Sequence, residues 1–140
     1  MRRTARLAVA GALAAALVGT AAPAASAAGD CAVGYTCVWR DLGYTGKWMG
    51  SAHSWVSFWG DLAFNDQVTS AAANGARCRH TEFHEHADMS TGYPSGDRFR
   101  LNSATLVGHS HRDPDLRNGA GDRPGENWND RVSGFVFVGC

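Results

Sequence analysis

The chain has 140 residues, and its 13 Lys and Arg balance 13 Asp and Glu to a formal charge of zero. Residues 1–27 carry three of the basic side chains and none of the acidic ones, so the remainder carries a formal charge of −3. That mild acidity excludes nucleic acid and an anionic membrane as partners, because both require clustered Lys and Arg.

The first element is an export signal. Arg2, Arg3 and Arg6 precede an apolar run of Ala, Leu and Val over residues 7–22, and Ala25-Ser26-Ala27 fits the small-x-small cleavage rule. The run is shorter than the roughly 20 residues a membrane span needs. Residues 1–27 therefore read as a secretory signal peptide and 28–140 as one secreted, extracellular domain with a modest core. The Arg2-Arg3 pair hints at twin-arginine export, but its surroundings match that motif poorly, and the general secretory route is expected.

Cys31, Cys37, Cys78 and Cys140 all lie beyond the signal. An even count in a small exported domain reads as two disulfides, and three pairings satisfy it. The preferred one joins Cys31 to Cys37, closing a local loop, and Cys78 to Cys140, tying down the last residue. Loop-closure entropy values these at about 2.4 and about 4.3 kcal/mol. A four-cysteine zinc site would show paired short spacings, which are absent.

Short runs rich in Trp, Phe, Tyr, Val and Thr, broken by Gly, Asn, Asp and Pro, predict antiparallel strands over 35–40, 47–51, 68–72, 77–84, 98–101 and 133–138. The last run is apolar on both faces and should sit centrally. Residues 57–64 are the one candidate helical turn, and 108–126 reads as a surface loop.

The chain also repeats itself. Phe64-Asn65-Asp66-Gln67-Val68-Thr69-Ser70 recurs as Trp128-Asn129-Asp130-Arg131-Val132-Ser133-Gly134. Upstream, the segment from Val38 to Tyr44 aligns with that from Phe83 to Met89. Trp39 precedes Asn65 by 26 positions and His84 precedes Asn129 by 45, so the second copy carries an insertion.

These residues resemble a known family. Trp39-Arg40-Asp41-Leu42-Gly43-Tyr44-Thr45-Gly46 is similar to the aromatic-x4-aromatic-x-Gly corner of the βγ-crystallin Greek key. Asn65–Ser70 matches that superfamily's calcium signature at every fixed position, and the second copy departs only at Gly134. With the export signal and an early Cys-x5-Cys, the chain resembles the bacterial secreted peptidase inhibitors of crystallin fold, of which metalloproteinase inhibitors are the best known. The resemblance implies an all-β double Greek-key sandwich, with one Greek key over about 31–75 and the other over about 76–140. His84 and Met89 replace the corner aromatics in the second.

The resemblance further implies calcium sites shared between the two motifs. The expected ligands are Asn65, Asp66, Thr69, Ser70 and the Gln67 carbonyl, with Asn129, Asp130, Ser133 and the Arg131 carbonyl. Hard oxygens of these kinds are what Ca2+ requires. Glu85 fits a further ligand position in the second half. Arg40 stands at the matching place in the first, where a guanidinium repels a cation, so one site is expected to work and the other to be weakened. The same residues also form turns through their own backbone bonds.

No chemistry of the chain's own is legible. His84 and His86 alternate as zinc ligands do, and His109 and His111 repeat the spacing, but His80 would lie about 13 Å from His84 along a regular strand. Gly-x-Ser-x-Gly, His-Glu-x-x-His and phosphate-cradling motifs are absent, and disulfides account for the thiols. A non-enzymatic monomer is expected.

Most of Trp39, Tyr44, Trp48, Trp55, Phe58, Trp59 and Phe64 should fill the first Greek key, with Trp55, Phe58 and Trp59 the candidates for an exposed group. The expected function is inhibition of an extracellular protease by a rigid exposed loop, with 88–96 and the segment beside Cys78 as candidates and no reactive bond carried over. The alternative is a calcium-binding crystallin-type module that binds cell-wall polysaccharide or acts as an antimicrobial.

Overall fold

The computed structural model describes residues 30–61, 63–75, 77–103 and 111–140. The expected signal peptide lies outside the described residues. Ten strands form in chain order: β1 (Tyr35–Asp41), β2 (Thr45–Ser51), β3 (Trp55–Ser57), β4 (Ser70–Asn74), β5 (His80–Ala87), β6 (Pro94–Asn102), β7 (Arg112–Asp113), β8 (Gly119–Ala120), β9 (Arg123–Pro124) and β10 (Gly134–Val138).

Two four-stranded antiparallel sheets run β2-β1-β4-β7 and β3-β10-β5-β6. Each half of the chain lends one strand to the other half's sheet. β3 pairs with β10, and β7 pairs with β4. That reciprocal exchange defines two interlocked Greek keys.

Strand alternation decides what the interior holds. Thr36 and Val38 of β1, Thr81 and Phe83 of β5, Phe99 and Leu101 of β6 and Phe135 of β10 all turn inward and are buried. The Phe83 and Phe99 rings stack at 4.8 Å, and Trp128 meets Phe99 edge-on at 5.1 Å. The other face of β1 is covered too. Cys31, Cys37, Trp39 and Ala72 form a second buried cluster against which Tyr44 packs. Cysteines pair as Cys31–Cys37 and Cys78–Cys140, the preferred arrangement.

The structure revises several local expectations. Strand 68–72 runs instead over Ser70–Asn74, because Val68 and Thr69 bond to the opposite motif and to β1. Among the described residues of 57–64 no helix is formed: β3 ends there and single hydrogen-bonded turns follow, with Asp61 N donating to Phe58 O at 2.7 Å and Asn65 N to Asp61 O at 2.9 Å. Residues 111–126 are not a surface loop. They supply β7, β8 and β9 and bury Leu116 completely in the core, while 108–110 lie outside the described residues. Phe58 is buried between the sheets, whereas Trp48 is 58% exposed. Among the described residues no helix is long and apolar enough to cross a membrane.

Candidate functional site: paired loops and second hairpin

The repeated Asn-Asp motifs face one another across the sandwich. Asp66 and Asp130 adopt left-handed backbone at φ 52° and 57°, a conformation short polar side chains tolerate. Asp66 N donates to Val132 O at 3.1 Å, and Asp130 N donates to Val68 O at 3.1 Å. Asn65 Nδ2 donates to Asp66 Oδ2 at 2.8 Å, and Asn129 Nδ2 donates to Asp130 Oδ2 at 2.5 Å. Ser133 Oγ reaches across to Asp66 Oδ1 at 3.0 Å. The motifs thus form a hydrogen-bonded seam between the halves. Thr69 N and Ser133 N fasten it to the sheets through Trp39 O at 2.9 Å and His84 O at 2.8 Å.

The glycine that ends the second motif has a structural cause. Ser70 Oγ donates to Asp41 O at 2.8 Å and accepts from Tyr44 N at 3.1 Å, clamping the first aromatic corner. At the equivalent Gly134, a Cβ would lie 2.6 Å from Val56 O and 2.9 Å from Pro94 Cγ. The second hairpin folds down over that position, so a side chain does not fit.

Glu85, expected as a calcium ligand, is engaged by Arg131. The two meet at 3.1 Å through Nη2 and 3.2 Å through Nε. Asp66 and Ser133 are brought together, and Asp130 and Asn129 sit on the opposite loop. Among the described residues no three His, Cys, Asp or Glu side chains converge on a common point.

The second corner differs from the first. In the first, Trp39 and Tyr44 meet edge-on at 5.2 Å. In the second, His84 is buried, and Met89, in Tyr44's place, is 76% exposed. The turn around Met89 is closed by Asp88. Its Oδ1 accepts from Ser90 N at 2.9 Å, Ser90 Oγ at 2.6 Å, Thr91 N at 2.8 Å and Thr91 Oγ1 at 3.0 Å. Backbone bonds from Gly92 N to Asp88 O at 2.7 Å and from Asp88 N to Tyr93 O at 2.8 Å complete it. The Ser90 hydroxyl, then the Thr91 amide and hydroxyl, hold the Asp88 carboxyl down to about 2. Tyr93, beside the turn, lies 5.6 Å from the Trp55 ring.

Behind the hairpin, the outer face of β5 and β6 carries a charged cluster. Glu82 meets Arg100 Nη2 at 2.7 Å and Arg98 Nε at 3.0 Å, with His84 Nε2 at 3.5 Å. Burial pushes the Glu82 carboxyl up, but the Arg100 hydrogen bond and the two guanidinium charges outweigh it and leave it lowered. Burial holds His84 below the ordinary histidine range against the pull of Glu82, and Arg98 adds to the lowering. His84 is buried and His86 is exposed, so the two do not share one environment. His109 lies outside the described residues.

The reciprocal strand exchange and the paired loops define a βγ-crystallin-type domain. A crystallin domain solved in work on the evolution of the eye-lens βγ-crystallin fold is 20% identical, with a TM-score of 0.56 over 80% of this chain and 92% of that one. A βγ-crystallin from Ciona intestinalis is 17% identical, with a TM-score of 0.49 over 74% of this chain and 98% of that one. No curated protein matches the chain. Residues 24–94 match peptidase inhibitor family I36, and the chain belongs to that family. Its members are inhibitors, so the protein is an inhibitor-like protein and not an enzyme.

Proposed function

We propose that the protein blocks an extracellular peptidase by presenting the β5–β6 turn, with Met89 entering the enzyme's specificity pocket. One observation carries this reading: a strongly exposed apolar side chain sits on a turn held by four hydrogen bonds to a single carboxylate oxygen. A loop fixed before docking loses little conformational entropy on binding, so more of its contact energy is kept as affinity. The family match reaches residue 94 and includes the whole turn. Met is unbranched and apolar, which suits a hydrophobic pocket and not an acidic one. Trp55 and Tyr93 would lie against the rim of the enzyme cleft.

Residual activity of a subtilisin-like and a thermolysin-like peptidase, titrated with the disulfide-bonded protein, tests this. Inhibition at equimolar protein that is weakened at least tenfold by Met89→Asp supports it. Undiminished peptidase activity sinks the inhibitory reading, and inhibition indifferent to Met89→Asp moves it to another loop. The alternative beside Cys78 includes Ala76, which lies outside the described residues.

A second reading rests on Trp48 and Tyr35. They flank a groove of about 320 Å3 with Asp30 at its edge, next to the Cys31–Cys37 bridge. An exposed indole beside a carboxylate suits a sugar ring, one face stacked and its hydroxyls hydrogen-bonded. Retention on insoluble chitin or glucan that Trp48→Ala abolishes would favour polysaccharide binding.

A further inference from the structure

Arg131 occupies the third position of the second motif, where only a backbone carbonyl was expected to matter. Its guanidinium folds back over the Trp128 ring at 4.3 Å. It donates to Glu85 Oε1 through Nε at 3.2 Å, to Glu126 Oε1 through Nη1 at 3.1 Å and to Asn127 O through the same Nη1 at 3.2 Å. One delocalised positive charge is thus ringed by two carboxylates and a carbonyl, with an aromatic face beneath it. These are hard oxygens of the sort a calcium ion collects, already gathered around a cation that the chain supplies.

Asp66 and Ser133 form a close pair through their own hydrogen bond, and among the described residues no three His, Cys, Asp or Glu side chains are grouped to hold a metal ion. A dication approaching Glu85 would meet the fixed guanidinium first, and at short range in a partly buried setting that repulsion is not screened away.

We infer that Arg131 takes the place of a metal ion in the second paired loop, so that the crystallin-type seam closes without calcium. The guanidinium ties β5, through Glu85, to the 126–128 segment and the seam residue Val132 that follows it. A secreted inhibitor built this way keeps its shape whatever the calcium level outside the cell.

Thermal melts of the disulfide-bonded protein in chelator and in millimolar calcium test this. The unmodified protein is expected to melt at one temperature in both. Arg131→Gln, which frees Glu85 and Glu126, should lower the midpoint in chelator by about 5 °C and recover part of that loss in calcium. A calcium-dependent rise in the unmodified protein, or an Arg131→Gln variant as indifferent to calcium as its parent, would overturn the inference. Should Arg131→Gln fail to fold, terbium luminescence of the unmodified protein decides. Trp128 lies within sensitising distance of the site, and a saturable terbium signal would overturn the inference, while its absence supports it.

Discussion

The hydroxyls of Thr36 and Thr81 meet at 2.7 Å in the centre of the sandwich, both fully enclosed. They join β1 of one sheet to β5 of the other, at matching positions of the two Greek keys. Removing one partner leaves a buried hydroxyl with nothing to bond, at a cost of about 1–3 kcal/mol, whereas removing both leaves apolar groups of the same shape. Thr36→Val and Thr81→Val are each expected to destabilise by about 2 kcal/mol, and the double variant by less than their sum. Urea denaturation of the four proteins gives the coupling; strict additivity would mean that the hydroxyls do not depend on each other.

The Asp88 turn should outlast acid that disables ordinary carboxylates. Its carboxyl is lowered to about 2 from a reference of 3.8, so the turn's contribution is complete above pH 3.8 and fades as pH falls toward 2. Inhibition of an acid-tolerant peptidase should therefore stay level from neutral pH down to about 4. Asp88→Ala should cut inhibition tenfold or more while leaving the melting midpoint nearly unchanged, because Asp88 is fully exposed and only orders the loop. A large drop in midpoint would assign Asp88 to the fold instead.

His84 gives the opposite pH region. Burial lowers it from 6.5, so the folded state resists a proton that the unfolded chain accepts. Stability from a lowered group is full above the unfolded value, so it should begin to fall as pH drops below 6.5. His80 and His111 are lowered in the same direction and steepen the fall. Melts from pH 7.5 to 5 are expected to show a declining midpoint, with a shallower decline in His84→Gln. An equal slope in both proteins would remove His84 as the cause.

Leu116 lies in the Gly-, Asp- and Pro-rich stretch yet is completely enclosed in the main core. Its N–H donates to Thr69 O at 3.0 Å, and its carbonyl accepts from Trp128 N at 2.7 Å. Leu116→Ala should cost about 3 kcal/mol, the range for deleting a core leucine, where a surface-loop residue would cost almost nothing. Denaturant titration separates the two outcomes.

The repeat was legible because both halves need the same unusual backbone. Asp66 and Asp130 must turn left-handed at the seam, and few residues do so readily. Leu116 was not legible, since a single apolar residue among turn formers has no periodicity to betray its burial. The aromatic cluster was read only in part. Alternation puts Trp48 and Trp39 on opposite strands of one hairpin but does not say which sheet face another segment covers.

The sequence by itself determined four cysteines that pair, two copies of one strand-and-turn unit and a family. Each follows from local chemistry: an even number of thiols in a small domain and turn residues at fixed spacing. Only the tertiary structure decided that β3 and β7 exchange sheets, that the second corner leaves Met89 exposed on a turn tied by Asp88, and that the Arg131 side chain swings onto Trp128 between Glu85 and Glu126. Glu85 and Arg131 are 46 positions apart. Which partner a charged side chain finds at that separation is fixed by how the sheets pack, and no local pattern records it.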